Sequence, residues 1–135
     1  VNMSEQENNA WLDEIKWNTD GLIPAVAQDY QSGKILTLAW LNREALLQTI
    51  KLRRAVYWSR SKQRLWQKGE ISGYTQEIQD IYLDCDKDAI VLAVMQTGDI
   101  ACHTGRQSCF FHRYKNGRWI ISSPVLKDPK EIYKK

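Results

Sequence analysis

The spacing of apolar positions changes along the chain, and the changes divide it into elements. Trp11, Leu12 and Ile15 recur at helical spacing and predict a short amphipathic helix ahead of the Asp20-Gly21 break. Val1 to Ala10 lack any such periodicity and read as a flexible N-terminal tail, leaving residues 11–135 as the domain. Leu22 to Asp29 and Lys34 to Trp40 are β-type runs around Gln31-Ser32-Gly33, the pattern of a hairpin. Asn42 is placed to cap a helix running to about Leu52, with Ala45, Leu46, Leu47 and Ile50 as its apolar side. Ala55 to Ser59, Tyr74 to Leu83 and Ala89 to Gln96 follow as strands, the last two separated by Asp84-Cys85-Asp86-Lys87-Asp88. Thr97-Gly98-Asp99 turns the chain into Ile100-Ala101-Cys102. Phe110 to Tyr114 and Arg118 to Ser122 flank Asn116-Gly117, a dipeptide that tolerates the positive φ of a tight turn, and predict a second hairpin. The basic segment after Pro124 reads as peripheral.

After residue 55 strands follow one another with no helix between them, which points away from a doubly wound sheet. The expected fold is α+β and β-rich, a mixed, barrel-like sheet with one or two short helices. There is no glycine-rich phosphate loop of the dinucleotide or nucleotide-hydrolase type.

Composition narrows the function classes. A chain of 135 residues holds one domain, and 43% hydrophobic with 26% charged residues is ordinary for a globular protein. The net charge of +3 is too mild to demand a nucleic acid or a membrane surface as partner. No stretch approaches the roughly 18 apolar residues of a spanning helix, and the polar, acidic opening lacks the pattern of a secretory signal. The expected location is cytoplasmic. Three cysteines in such a chain argue against a disulfide framework and for thiolate chemistry or metal binding.

Cys102 lies 17 positions after Cys85, and Cys109 a further 7, so no Cys-x-x-Cys pair supports a zinc ribbon or a thioredoxin-like motif. Three thiolates without an evident fourth ligand match the count of a catalytic zinc that keeps one position for water. The alternative is a set of small buried hydrophobes. Against it, Cys85 stands among three aspartates, Cys102 precedes His103, and Cys109 ends a polar Gly-Arg-Gln-Ser run. If 84–88 is extended, Asp84, Asp86 and Asp88 face one side and Cys85 the other. Carboxylates that crowded repel one another unless a hard cation such as Mg²⁺ sits among them; the alternative is a solvated acidic turn. Between Arg53 and Gly73, cationic residues including Arg60, Lys62 and Arg64 alternate with Tyr57, Trp58 and Trp66. Such a mixture suits phosphate by charge and bases by stacking, or else is a basic loop flanked by core aromatics.

WSRSKQRLWQKGEISG, LDCDKDAIVL and ACHTGRQSCFF, in this order and spacing, resemble the phosphoribosyl-AMP cyclohydrolase family of histidine biosynthesis. The similarity begins near IPAVAQD and LTLAWLNREAL and covers roughly residues 20 to 115. It implies a hydrolase that opens the adenine ring of N1-(5-phosphoribosyl)-AMP at the N1–C6 bond with zinc-activated water. It further implies zinc on Cys85, Cys102 and Cys109, magnesium on Asp84, Asp86 and Asp88, and an obligate homodimer whose zinc ligands come from both subunits. Where the family often has His or Asn after the Ser-Gly pair, this chain has Tyr74.

On that reading His103 moves the proton from water to the leaving nitrogen, since imidazole serves both steps near neutral pH. Arg60, Lys62, Arg64 and Arg106 are candidates to meet the substrate's phosphates, and Trp66 to stack on its base. His112, on a predicted strand, reads as a packing or surface residue. A zinc-stabilised RNA-binding module is the rival from another class; it predicts RNA affinity that falls steeply with salt. A nucleobase deaminase is disfavoured by the missing His-x-Glu and Pro-Cys-x-x-Cys elements.

Overall fold

The computed structural model describes residues 10–69, 73–100 and 104–128. Eight strands occur among them: β1 (Ile23–Asp29), β2 (Ile35–Leu41), β3 (Val56–Ser59), β4 (Arg64–Gln67), β5 (Gln76–Leu83), β6 (Ile90–Gln96), β7 (His112–Lys115) and β8 (Arg118–Ile121). One α-helix, α1 (Arg43–Leu52), joins β2 to β3. The expected helix at Trp11–Ile15 is instead a 3₁₀ turn over Ala10–Glu14; it still buries Leu12, with Ile15 just beyond it. Of the expected tail, residues 1–9 lie outside the described residues.

The main sheet has the order β2-β1-β6-β5. β1 runs antiparallel to β2 and parallel to β6, and β5 antiparallel to β6, so the sheet is mixed as expected. β1 and β6 are the central strands, and the buried positions of β1 alternate as Ile23, Ala25 and Ala27. These pack with Leu36, Leu41, Leu46, Tyr57, Leu92 and Val94 in one core. The remaining strands form two hairpins, β3-β4 and β7-β8.

The sheets are open among the described residues, which corrects the barrel-like expectation. Ala55 N–H donates to Gln76 O at 2.9 Å and Ile78 N–H to Arg53 O at 2.9 Å, around a single Arg54–Glu77 bridge. The contact goes no further because Ala55 O is taken by Lys68 N–H at 2.9 Å, and the chain then pairs β3 with β4.

Helix α1 starts as the sequence predicts: the Asn42 side-chain oxygen accepts the Ala45 N–H at 2.7 Å. Its inner face is Ala45, Leu46 and Thr49, whereas Ile50 is exposed. Thr49 takes the inner position because its Oγ1 both donates to Val56 O and accepts from Val56 N–H, each at 3.0 Å, and so anchors β3. The segment after Pro124 is less peripheral than expected, since Leu126 N–H donates to Gly105 O at 2.8 Å.

Candidate metal centre

The segment Asp84–Asp88 joins β5 to β6 as a tight turn, not as an extended run. Lys87 N–H donates to Asp84 O and Asp84 N–H to Ala89 O, both at 2.8 Å, and Lys87 has a left-handed φ of 63°. The expected alternation, which put Cys85 behind the carboxylates, is therefore absent. Asp84, Cys85 and Asp86 instead bring one donor atom each within 4.8 Å of one another, all three exposed. A hydrogen bond from Asp88, followed by one from the Asp86 N–H, holds Asp84 below the usual carboxylate value. Asp88, bonded to Asp84 and facing its charge, is raised. Carboxylates this close compete for a proton or share a cation. Carboxylate oxygens are the donors a hard cation such as magnesium takes and a thiolate is one that zinc takes, so these three residues could hold a metal ion; Asp88 is not one of the three.

Cys109 sits in a different setting. It is half-buried beside β2, with its N–H donating to Leu36 O at 2.6 Å. The Tyr57 phenol lies close by: burial first, and then the charge of the Cys109 thiolate, push its pKa well above the ordinary value. Tyr57 is thus a fixed donor, and its hydroxyl donates to Gln76 Oε1 at 2.6 Å. Gln76 Nε2 passes the chain on to Gln96 Oε1 at 2.9 Å, and Gln96 Nε2 reaches Tyr74 O and Thr75 O at 3.0 and 3.2 Å. The Tyr74 ring lies against Gly98, where an added Cβ would collide with it. Tyr74 therefore packs on the turn that leads toward Cys102.

Cys85 stands on the turn that joins β5 to β6, and Cys109 is bonded to β2, the strand at the other edge of the four-stranded sheet. Three inter-strand steps of about 4.8 Å, with an offset of about four residues along the strands, separate them by roughly 20 Å. Two thiolates on one tetrahedral zinc, at about 2.3 Å from the ion, stand less than about 4 Å apart. One chain does not bring this pair together. Cys102 and His103 lie outside the described residues.

The basic residues divide into two groups. Arg60, Lys62 and Arg64 are exposed around the β3–β4 hairpin, and the Arg60 guanidinium lies 4.6 Å from the centroid of Trp40. Arg60 also lines a cavity of about 350 Å³ with Asp20, Asn42 and Trp58. Trp66 is half-buried and packs against the core, its ring 5.7 Å from that of Tyr57. Arg106 is engaged as well: its Nε donates to Ser123 O at 2.9 Å, and its guanidinium lies 4.1 Å from the Phe111 ring centroid. His112 is exposed, with its ring against Phe111. Tyr57, Gln76 and Gln96 were missed as a group by sequence reasoning. No local pattern announces a contact between positions 19 or 20 apart in the chain.

Fold and side chains together define a β-rich α+β domain with thiol and carboxylate donors at two edges of one mixed sheet. A family model described as phosphoribosyl-AMP cyclohydrolase matches residues 37–111. A phosphoribosyl-AMP cyclohydrolase of Nitrosomonas europaea is 62% identical, over 93% of this chain and 97% of its own length. Proteins of the same name from Cellvibrio japonicus and Thioalkalivibrio sulfidiphilus are 58% and 59% identical over 91% of this chain, covering 98% and 94% of their own. The chain belongs to the phosphoribosyl-AMP cyclohydrolase family. Among the described residues no helix is long and apolar enough to cross a membrane.

Proposed function

We propose that this chain, as a cytoplasmic homodimer, catalyses the third step of histidine biosynthesis, the hydrolytic opening of the adenine ring of N1-(5-phosphoribosyl)-AMP. Water adds across the N1–C6 bond, N1 leaves carbon, and no ammonia is released. Cys85, Cys102 and Cys109 hold zinc, and Asp84, Asp86 and Asp88 hold magnesium. Zinc, when bound, supplies the Lewis acidity that brings water into reach of deprotonation near neutral pH. His103, next to Cys102, moves the proton from that water to N1. Arg60, Lys62 and Arg64, exposed on one hairpin, bind the phosphates. Arg106 and Trp66 border the substrate from their packed positions.

The observation that carries this reading, beside family membership, is the placement of Cys85 on the β5–β6 turn and of Cys109 against β2, the strand at the other edge of the sheet. A zinc site that uses both takes Cys85 from one copy and Cys109 from another, which makes the dimer part of the site. The test is zinc content and the ultraviolet change of ring opening in the wild type, Cys102→Ser and His103→Ala. The reading requires Cys102→Ser to lose both zinc and activity, and His103→Ala to lose activity while keeping zinc. Full activity with undiminished metal in Cys102→Ser overturns it.

A further inference from the structure

Ser108 precedes Cys109 and is 2% exposed, although it is a hydroxyl residue in a polar run. Its Oγ donates to Ile35 O at 2.7 Å, lies 3.3 Å from Leu36 O, and accepts the Phe110 N–H at 2.9 Å. Between them the Cys109 N–H donates to Leu36 O at 2.6 Å. Three consecutive residues, 108 to 110, are thus bonded either to β2 or to the hydroxyl that β2 holds. The receiving carbonyls lie where the β1–β2 register shifts: Thr37 pairs with Ala27 and Ile35 with Gln28, leaving Leu36 as the extra residue. A bulge of this kind takes one residue out of regular pairing and turns its polar groups to other partners.

We propose that Ser108 is a positioning residue for Cys109, its hydroxyl and the β2 bulge together setting the direction of the thiol before metal arrives. This rests on the reading of Cys109 as a zinc ligand. With the backbone bonded on both sides, the thiol keeps one torsion, χ1, and little ordering remains to be done when zinc binds. Loss of a supporting hydrogen bond around a metal ligand weakens metal affinity by about tenfold to a hundredfold.

The experiment titrates metal-free protein with Zn²⁺ against a chromophoric chelator, and records the thiolate-to-metal absorption of the Co²⁺-substituted protein. It compares the wild type with Ser108→Ala, Ser108→Thr and Cys109→Ser, well below the metal-free melting temperature of each. The expected result is a loss of zinc affinity of about tenfold to a hundredfold with a weakened Co²⁺ band in Ser108→Ala, and recovery in Ser108→Thr. A Ser108→Ala protein that melts lower but binds zinc as the wild type does overturns the proposal, because the hydroxyl then serves only the fold. If Ser108→Ala does not fold, the comparison becomes Ser108→Thr against Ser108→Val, matched in shape and differing in the hydroxyl. Failure of both hydroxyl-free variants to fold also overturns it, since the bonds then hold the domain rather than the ligand. Undiminished zinc affinity in Cys109→Ser, by contrast, removes the zinc reading and is distinguishable from either outcome at Ser108.

Discussion

Cys85 and Cys109 are the same side chain in opposed surroundings. Cys85 stands on an exposed turn among carboxylates that are hydrogen-bonded to one another and to the turn's backbone. Cys109 is half-buried on a backbone bonded to the β2 edge, with the buried Tyr57 phenol behind it. The first is a donor open to solvent and the second one seated against the sheet. In the proposed two-copy site, the seated Cys109 would supply one wall and the exposed Cys85 turn would be offered to the other copy.

The largest effects are expected at the thiols. Cys109→Ser and Cys85→Ser should each lower ring-opening activity by at least about a hundredfold, the upper end of what loss of a mere supporting partner costs. Steady-state kinetics on freshly zinc-loaded protein checks this. The metal-free stability of the exposed variant, Cys85→Ser, should stay within about 0.5 kcal/mol of the wild type, as for most surface substitutions.

Next in size is the support behind Cys109. Tyr57→Phe leaves the buried Gln76 oxygen without its donor, which costs about 1–3 kcal/mol in urea unfolding. The same variant changes the pH dependence. Tyr57 has a folded pKa raised above its ordinary value of 10.0, so its contribution is fully present below pH 10.0 and is lost as pH rises toward the folded value. The wild type should therefore lose stability more steeply than Tyr57→Phe above that pH.

Smaller effects belong to the turn and the helix. Asn42→Ala removes the α1 cap and should cost about 1 kcal/mol. Lys87→Gly relieves a left-handed φ and should stabilise the protein by about 1 kcal/mol, at the price of an exposed 3.9 Å contact to Glu14 that contributes little. Thermal unfolding reads both.

Features with a local cause were legible in the sequence. The Asn42 cap, the β1–β2 pair and the Asn116-Gly117 hairpin follow from side chains within a few residues of each other. Strand β4 was not legible as a strand, because its run Arg64–Gln67 is only four residues long with polar residues at both ends, and the turn before it uses Gln63 at φ 52° where a glycine would have signalled it. The acidic segment looked extended because alternation is a strand pattern. Its bend is set by backbone bonds from Lys87 to Asp84 and from Asp84 to Ala89, which side-chain spacing does not encode. At the candidate site the donor residues were readable by type, while their arrangement was not. The separation of Cys85 from Cys109, the Tyr57–Gln76–Gln96 relay and the seat of Cys109 all depend on strand order.

In the proposed enzyme one site takes Cys85 from one copy and Cys109 from the other. The direct measurement is complementation between Cys85→Ser and Cys109→Ser, assayed alone and after co-refolding in equal amounts. A hybrid dimer would hold one site with both cysteines intact and one with neither, so random pairing in a two-fold dimer restores about a quarter of the wild-type zinc and activity. Restoration to that level, with each variant inactive alone, is the predicted result. Hybrid dimers that form but remain as inactive as the separate variants would contradict the account.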